Sequence, residues 1–564
     1  MSSTSHRGAL RRAAAAASCV AIAAMLLGAC TSTSESAAGS PAPNDARLPV
    51  AFALTRDAEG LYSAAMERST PSDPAFRTWL DAAQIADRFG APAQAAQRVL
   101  AEASRAGFQG SIDPTRGLIT GTMTTAQAER LLGVTMQTVP VGTSQVIKPS
   151  APPTVPRAWT GTVTAVMGLT LQIPAAGSEP ATVSRPTSAN PAEVSCPPSP
   201  GSSALMRDYY GMGSLNAAGA GGRGVRIALL QIDRTSQVAI GQVRRCYGVT
   251  IPTVDTVKVD ATDDSVYGTD TEESTLDIAA ASLVAPNLEG ITTYQFNPFS
   301  TIVFPLAASI GDALRPGGAQ IISTSIGYCE PDVDTATVAT SEWLFSAAAA
   351  AGITVLAAAG DTGSSACAPE STAEASQYPA SSALVTAVGG TQFTYAAGAI
   401  AAEVVWNASP SVRNAGGGTP RSQRPRPHYQ DGIGLPGTRR AVPDVAFVAA
   451  PATFGPIPVC DAAGVCTLKS VGGTSATAPG VAGALSEVMD AIETSDDAPY
   501  RLGLLNPTIY SLARDPAAAG AFVDVTAGTN DLFGVGCCTA APGFDGATGW
   551  GSIRFGEFLR LVPR

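Results

Sequence analysis

A serine stands where a glycine-rich turn leads into a helical pattern. Residues 472–479 read GGTSATAP, and an apolar helical pattern follows over residues 481–492. Ser475 is therefore expected at a helix N-terminus, where backbone N–H groups and the positive end of the helix dipole favour an anionic intermediate. Serine in this place is most often an ordinary N-cap. The turn makes Ser475 a candidate nucleophile that still requires a base.

Carboxylates are better candidates for that base than histidine. The chain has two histidines, His6 in the N-terminal segment and His428 in a loop-like stretch. Glu273 and Asp277 are four residues apart in a helical pattern, so their carboxyl groups share one face. Two like charges at that spacing raise one pKa. Such a pair usually marks a solvated face, but the apolar continuation over residues 278–286 indicates a buried helix.

A third carboxylate follows a predicted strand. Asp361 lies in the sequence AGDTG directly after the apolar residues 353–358. Ligands of parallel sheets bind beyond the carboxyl ends of the strands, so Asp361 is expected at the ligand-binding edge. An aspartate between glycines is by itself more often a turn residue.

Strands and helices alternate in the region that must position these side chains. Residues 225–230, 319–323 and 352–356 read as mostly apolar strands, and residues 341–351 form one of the helical patterns between them. Strands of this kind are typical of a parallel sheet buried on both faces. We therefore predict a doubly wound α/β domain over residues 204–564.

The preceding chain divides into shorter regions. A small α+β domain is predicted over residues 47–173, with a helical pattern at 92–106 and β-like residues at 118–122. A Pro/Ser-rich linker follows over residues 174–203, and a Ser/Thr/Ala/Gly/Pro-rich tether is predicted over residues 31–46.

Four motifs in order resemble the sedolisin family of serine-carboxyl peptidases. The first, residues 473–479, looks like the nucleophile motif that subtilisins and sedolisins share. The other three are similar to sedolisins in particular: the Glu-x-x-x-Asp helix followed by Ala285-Pro286 and Tyr294, residues 360–363 followed by 378–382 and 385–391, and residues 440–446. Residues 73–80 resemble the kumamolisin-type activation prodomain.

The resemblance implies a subtilisin-like catalytic domain behind a small α+β prodomain, and a role for each candidate residue. Ser475 attacks the scissile carbonyl, Glu273 takes its proton, Asp277 orients Glu273, and Asp361 donates a hydrogen bond in the oxyanion hole. A carboxylate base and a carboxylic-acid donor coexist only in acid, because an isolated carboxyl pKa is about 4. The resemblance thus implies an acid-acting peptidase of proteins or peptides.

The resemblance also implies one calcium ion near the C-terminus. Its ligands would be side-chain oxygens of Asp524 and Asp545, with backbone oxygens of Val525, Ala541 and Gly543. Carboxylate and carbonyl oxygens are the ligands that calcium prefers. Family members often have glycine where Ala541 stands, which matters only if that position needs a positive φ. The alternative is a glycine-rich turn without metal.

The first thirty residues indicate export. Arg7, Arg11 and Arg12 precede an apolar stretch over residues 13–27, and LGAC at residues 27–30 resembles a bacterial lipobox. We expect a lipoprotein-type signal peptide over residues 1–30, with Cys30 as the lipidated N-terminus of a cell-surface precursor. An ordinary signal peptide with an incidental Cys30 is the alternative.

The remaining cysteines indicate disulfides. Ten cysteines minus Cys19 and Cys30 leave eight, an even number suited to an exported protein. Cys460 and Cys466 bracket a short loop and are the favoured pair, and the other pairings stay open. A zinc site is disfavoured because the chain has no Cys-x-x-Cys pair and little histidine.

Charge and the resemblance together set expectations for partners. The net charge of -11 argues against a nucleic-acid partner. We expect a monomer that binds protein or peptide substrates, is inhibited by its own prodomain, and meets the membrane only through Cys30. Acid would protonate carboxylates paired across the two domains, and autocatalytic cleavage in the linker would follow.

Two other functions remain open. A subtilisin-type protease could use Asp233, which follows the first strand of the large domain, but no His-Gly-Thr-His-like segment accompanies it. A lipid-anchored surface protein could use the same fold for binding without catalysis.

Overall fold

The structure, a computed structural model, describes residues 39–141, 144–173, 195–196, 203–217, 219–259, 271–409, 414–461, 463–492 and 500–563. The predicted signal peptide, Cys30 and most of the predicted linker lie outside these residues. Within the described ranges, no helix is both long and apolar enough to cross a membrane.

The N-terminal domain combines two antiparallel sheets with four helices. The strands are β1 (Ser40–Pro41), β2 (Arg47–Leu54), β3 (Gln109–Ile112), β4 (Leu118–Thr124), β5 (Met136–Val141), β6 (Ser144–Pro149), β7 (Val163–Gly168) and β8 (Leu171–Ile173). The helices are α1 (Ala58–Ser69), α2 (Ala82–Phe89), α3 (Ala93–Arg105) and α4 (Thr125–Leu132). One sheet has the order β3-β4-β2-β7 and the other β1-β5-β6-β8. The predicted small α+β domain is therefore present.

Local sequence explains where these helices begin. Asp81 and Gln84 form a capping box at the start of α2, and Thr124 and Gln127 form one at the start of α4. Each box satisfies backbone N–H groups that a helix N-terminus leaves without partners.

The folded domain begins earlier than the sequence indicates. Ser40 and Pro41 pair with β5, and the N–H of Ala42 donates to the carbonyl of Met136 at 3.2 Å. The tether predicted over residues 31–46 is therefore too long at its C-terminal end. Its composition is typical of a linker, but pairing with β5 and hydrogen bonds from Thr125 and Ala126 to the carbonyls of Ala46 and Asn44 hold residues 40–46 in the domain.

The larger domain is built on a ten-stranded sheet. Its strands are β9 (Arg226–Gln231), β10 (Val254–Lys258), β11 (Gly290–Gln295), β12 (Ile321–Thr324), β14 (Thr354–Ala358), β16 (Thr386–Ala396), β17 (Ala399–Val405), β18 (Val445–Val448), β21 (Phe522–Val523) and β22 (Ser552–Ile553). Two small antiparallel pairs accompany it: β13 (Tyr328–Cys329) with β15 (Gln377–Tyr378), and β19 (Ile457–Cys460) with β20 (Cys466–Lys469).

The sheet is doubly wound, as the sequence predicts. Its order is β10-β11-β9-β12-β14-β16-β18-β22-β21, with β17 beside β16. The neighbours from β10 to β22 pair in parallel, whereas β17 and β21 pair antiparallel. The chain winds outward in opposite directions from β9 and β12, which makes their carboxyl ends the switch point where ligands bind.

Helices cover both faces of this sheet. They are α5 (Ser203–Tyr209), α6 (Met212–Ala217), α7 (Gln237–Tyr247), α8 (Glu272–Val284), α9 (Val303–Ala313), α10 (Thr335–Ala350), α11 (Pro451–Phe454), α12 (Thr474–Ala491), α13 (Asn506–Ala513) and α14 (Phe555–Leu561). One core cluster joins α7, α8 and α12 to the sheet, and another joins α9 and α10 to the opposite face.

The N-terminal domain packs against the second of these faces. Its Leu61, Leu80 and Leu118 belong to the same buried cluster as α9 and α10. Trp343 donates its indole N–H to the hydroxyl of Thr115 at 2.9 Å across this boundary.

Polar contacts across the boundary use arginine and backbone groups. Arg56 donates to the carbonyl of Ala339 and the hydroxyl of Thr340, and Arg77 donates to the hydroxyl of Tyr500. Among the described residues no carboxylate forms an ion pair across the boundary. The expectation of carboxylates paired between the two domains is therefore wrong for this part of the chain, because apolar packing and neutral acceptors fill that role.

All eight cysteines expected to pair do so. The disulfides are Cys196–Cys246, Cys329–Cys367, Cys460–Cys466 and Cys537–Cys538. The predicted Cys460–Cys466 pair is confirmed. Since these eight sulfurs are bonded to one another, the described residues leave no thiolate for zinc.

Candidate active site

Ser475 is the second residue of α12, and the N-cap of that helix is Gly473. The half-buried Ser475 is thus not the N-cap that its context could suggest. Gly473 has φ +116, a conformation that favours glycine. A Cβ added there would lie 2.3 Å from Oδ2 of Asp361. The turn before Ser475 therefore needs glycine both for its backbone angle and for the approach of Asp361.

The carboxylate pair lies on α8, which packs against α12. Thr271, the N-cap of α8, makes no side-chain cap bond. Asp233 takes that place, since its carboxylate accepts the N–H groups of Glu273 at 2.8 Å and Ser274 at 3.0 Å. Asp233, which could have been the catalytic aspartate of a subtilisin-type protease, therefore caps the helix that carries Glu273.

Glu273 lies close to the side chains of Ser475 and Ser325. The pKa of Glu273 is raised to about 7: burial is the largest cause, the charges of Asp361 and Glu272 add to the rise, and the interactions with Ser475 and Ser325 oppose it. Its buried Oε1 has no hydrogen-bond partner among the described residues. An unpartnered carboxylate oxygen is costly to bury, which favours the protonated form and makes Glu273 a group able to exchange protons near neutral or acid pH.

Asp277 is fully buried one turn further along α8. Its Oδ2 accepts from Nε2 of Gln231 at 2.6 Å, and its Oδ1 accepts from the Ser325 hydroxyl at 2.9 Å. Burial and the neighbouring charge of Glu273 raise the pKa of Asp277 well above its usual value. The two carboxyl groups therefore share protons as a pair, and Asp277 has no freedom to turn away from it.

Asp361 follows β14 at the same edge of the sheet. Its Oδ1 accepts both the N–H of Thr474 at 2.7 Å and the hydroxyl of Thr474 at 2.8 Å. Burial raises the pKa of Asp361, and the two bonds from Thr474 oppose that rise. Because Oδ1 is occupied, Oδ2 is the atom that can carry a proton and donate it beside Ser475.

The structure thus brings together all four residues that the sequence singled out, from α8, α12 and the end of β14. It adds Gln231, Ser325 and Thr474, which sequence reasoning missed. Gln231 ends β9 and Ser325 follows β12 directly. The rule that located Asp361 at the carboxyl edge of the sheet could have located these two as well.

His428 takes no part in this arrangement. Its side chain is fully exposed, and its Nδ1 lies 3.3 Å from Oδ2 of Asp431. The titratable side chains that the structure brings near Ser475 are carboxyl groups, so the described residues do not form the geometry of a Ser-His-Asp site.

The residues expected to bind calcium meet in two adjacent loops. The N–H of Gly543 donates to Oδ2 of exposed Asp524 at 2.8 Å, and the N–H of Ala541 donates to Oδ2 of buried Asp545 at 2.9 Å. Ala541 does not adopt a positive φ, so alanine is no obstacle there. The carbonyl of buried Val525 accepts no hydrogen bond from any described residue. This all-oxygen set suits a hard cation.

Comparisons with known proteins agree with this architecture. The profile of the family "Pro-kumamolisin, activation domain" matches residues 34–171, and that of the "Subtilase family" matches residues 300–536. Kumamolisin of Bacillus sp. (strain MN-32) is 34% identical over 349 residues, which is 59% of this chain and 59% of that protein. Sedolisin of Pseudomonas sp. (strain 101) is 31% identical over 268 residues, 46% of this chain and 43% of that protein. The chain therefore spans about half the length of the curated relatives it matches.

A solved structure covers the larger domain. Pseudomonas sedolisin, described as a serine-carboxyl proteinase complexed with two molecules of pseudo-iodotyrostatin, aligns with a TM-score of 0.53 and 26% identity over 64% of this chain and 97% of that chain. The chain is therefore similar to proteins of the sedolisin family, and its match to an activation domain precedes its match to the subtilase family.

Proposed function

We propose that the protein is an acid-acting serine-carboxyl peptidase that hydrolyses peptide bonds of proteins or peptides. One observation carries the proposal: Ser475, at the start of α12, lies beside Glu273 on α8, a carboxyl group whose Oε1 is buried and whose pKa is raised to about 7, chiefly by burial. A hydroxyl at a helix N-terminus beside a carboxyl poised to accept its proton is the arrangement that acyl transfer needs.

The residues then act in sequence. Ser475 Oγ attacks the scissile carbonyl carbon while Glu273 takes the hydroxyl proton, and Glu273 later passes that proton to the leaving amine. Asp277, fixed by Gln231 and Ser325, keeps the carboxyl of Glu273 in position and shares its proton. Water repeats the attack on the acyl-enzyme with Glu273 as base, which regenerates Ser475.

Asp361 supplies the hydrogen bond to the developing oxyanion, and this step requires acid. Its Oδ2 must be protonated to donate, whereas the Glu273–Asp277 pair must be able to accept a proton. Activity therefore falls at high pH, where Asp361 loses its proton, and falls again toward low pH as the carboxyl pair becomes fully protonated. One oxyanion donor contributes about 10²–10³ in rate.

The direct test combines turnover with trapping. The protein is incubated with a peptide library at pH 4 and the products are read by mass spectrometry, while a peptide aldehyde is tested for a mass-labelled adduct at Ser475. We expect internal or terminal cleavage products and an adduct that Ser475→Ala abolishes. No cleavage and no adduct would favour a binding protein on the same fold, and an adduct that requires His428 would favour a subtilisin-type site.

We further propose that the loops of Asp524 and Asp545 bind one calcium ion. Burial raises the pKa of Asp545 against backbone hydrogen bonds that lower it, and a cation nearby would favour its ionised form. The ion would hold the two loops together, and it has no part in the chemical steps at Ser475.

The activation domain is proposed to act as an inhibitor whose removal depends on acid. Acid would act on the catalytic carboxyls, because the described boundary between the domains holds no carboxylate ion pair that acid could break. A precursor whose site becomes competent in acid would then cut its own linker.

Export and anchoring are proposed from the N-terminal segment alone. Residues 1–30 would be a lipoprotein signal peptide, with Cys30 lipidated on a cell-surface precursor. Detergent-phase partitioning of the expressed precursor tests this, and Cys30→Ser should move it to the aqueous phase.

A further inference from the structure

An ion pair lies next in sequence to the residue proposed as the base. Nζ of Lys469 lies 2.7 Å from Oε2 of Glu272, the neighbour of Glu273 on α8. The side chain of Glu272 is 7% exposed and that of Lys469 is 34% exposed. Charges with so little access to water interact more strongly than a surface pair.

Lys469 is held in place by the β19–β20 hairpin. The disulfide Cys460–Cys466 closes this hairpin, and β19 packs against α7 and α8. The N–H of Cys460 donates to the hydroxyl of Thr271, the residue that precedes α8, at 2.9 Å. The hairpin is thus fastened to the start of the helix that carries Glu273, and the lysine is positioned from a second element.

Among the described residues, the charged groups considered around Glu273 are almost all negative. They are Glu272 and Asp277 on α8, Asp361 after β14, Asp233 after β9, and Lys469 at the end of β20. Every one of these groups except Lys469 is an acid. A cation paired with Glu272 removes one negative charge from this set without touching the reacting atoms.

We propose that Lys469 is a positioning residue for the peptidase reaction, which neutralises Glu272 and thereby lets the neighbouring carboxyl pair ionise in the acid range. The proposal rests on the proposed function of Glu273 as base. The charge of Glu272 raises the pKa of Glu273, which agrees with this role. Without Lys469 the positive charge that offsets Glu272 would be missing.

Two substitutions that break the same ion pair separate this role from a structural one. Lys469→Met leaves the negative charge of Glu272 and should move the pH profile of kcat/KM upward. Glu272→Gln leaves the positive charge of Lys469 and should move the profile downward. Each shift should be about 0.3–1 pH unit, because one unit charge several ångströms away is added or removed.

Further variants control for packing. Lys469→Arg should retain the wild-type profile, since it keeps the charge. The double variant Lys469→Met/Glu272→Gln is neutral at both positions and should return the profile to near that of the wild type. If Lys469→Met is too unstable to assay, this double variant and Glu272→Gln still carry the comparison.

The outcomes are distinct. Shifts of the two single variants in the same direction, or no shift in either while turnover persists, would overturn the role of Lys469. The pH dependence of the melting temperature reports the same carboxyl titrations without turnover. Its midpoint should move upward in Lys469→Met and downward in Glu272→Gln. Opposite shifts in melting with no peptidase activity at any pH would refute the proposed function and leave the electrostatic role intact.

Discussion

At the scale of single residues, the site depends on carboxyl groups in three different environments. Glu273 is poised by burial, Asp277 is fixed by two hydrogen bonds, and Asp361 has one oxygen occupied and the other turned toward Gly473. The same side-chain chemistry could thus supply the proposed base, orienting group and donor, because the neighbours of each group differ.

Removing either member of the carboxyl pair should therefore be severe. Glu273→Gln and Asp277→Asn should each lower kcat/KM by about 10²–10⁴, since the positioned base or its partner is lost. His428→Ala, a substitution at a fully exposed side chain, should keep most of the activity. Peptide hydrolysis at pH 4 measures all three, and loss of activity in His428→Ala with retention in Glu273→Gln would contradict the carboxylate mechanism.

At the scale of elements, the proposed catalysis depends on how closely α8 and α12 approach each other. A Cβ added at Gly483 on α12 would lie 2.6 Å from the carbonyl oxygen of Ala281 on α8. One helix carries Glu273 and the other Ser475, so their separation sets the distance between base and nucleophile. This contact has no counterpart in the motifs that identify the site.

Gly483→Ala should push these helices apart. We expect a loss of about 1–3 kcal/mol in the free energy of unfolding, as for other overpacked contacts, together with reduced kcat. Gly241→Ala is the matched control, because nothing lies within 4 Å of a Cβ at this position in α7. Denaturant unfolding and kcat measure both, and equal effects at the two positions would mean that the helix contact does not matter.

The loops proposed to bind calcium also act as elements. Chelation should lower the melting temperature of the wild type, since a ligand bound only to the native state stabilises it by mass action. Asp524→Ala should lower it to the same value and remove any further effect of chelator. Asp531→Ala, which removes a carboxylate bonded to the N–H groups of Val535 and Gly536, should keep the chelator effect. An unchanged melting curve in excess chelator, with no metal by elemental analysis, would remove the site.

At the scale of the whole molecule, carboxyl groups with raised pKa values should make the protein less stable as the pH rises. Burial raises the pKa of Glu273, Asp277, Asp361, Glu342 and Glu403. A carboxyl group whose pKa is higher in the folded state than in the unfolded state binds protons preferentially when the protein is folded. Its contribution to the free energy of unfolding is therefore complete below about pH 4 and is lost as the pH rises through the pKa of the folded state.

The melting temperature should accordingly be higher near pH 4–5 than at pH 7–8. Much of this decrease should occur below pH 7, because the pKa of Glu273 is about 7. Glu403→Gln should flatten this dependence without altering the carboxyl pair at the site. Thermal melts across this range test the expectation, and a melting temperature that rises steadily from pH 4 to pH 8 would contradict it.

Maturation is also a property of the whole molecule. The disulfide Cys196–Cys246 ties the end of the linker to α7, and Met206 and Tyr210 are fully buried in the larger domain. We expect cleavage upstream of Cys196, because a cut between Cys196 and α5 would leave the two domains joined by the disulfide.

A shift of purified precursor from pH 7 to pH 4 should therefore yield two fragments that separate on a non-reducing gel. The Ser475→Ala precursor should stay intact. Fragments that separate only after reduction would place the cut beyond Cys196, and equally fast processing of Ser475→Ala would show that activation is not autocatalytic.

The sequence by itself determined the fold class and singled out the four residues that the structure brings together. Apolar strands alternating with helical patterns predict a parallel sheet, because strands buried on both faces need no polar alternation. The spacing of Glu273 and Asp277, the turn before Ser475 and the strand before Asp361 are local features. A near absence of histidine then directs attention to the carboxylates.

Only the tertiary structure decided what surrounds those residues. Ser325 and Gln231 reach Asp277 from the ends of β12 and β9, and Lys469 reaches Glu272 from β20, elements separated from α8 by tens to hundreds of residues. For the same reason Asp233 caps α8 and residues 40–41 join a sheet. Contacts between distant segments depend on how the elements pack, and neither periodicity nor spacing along the chain records that packing.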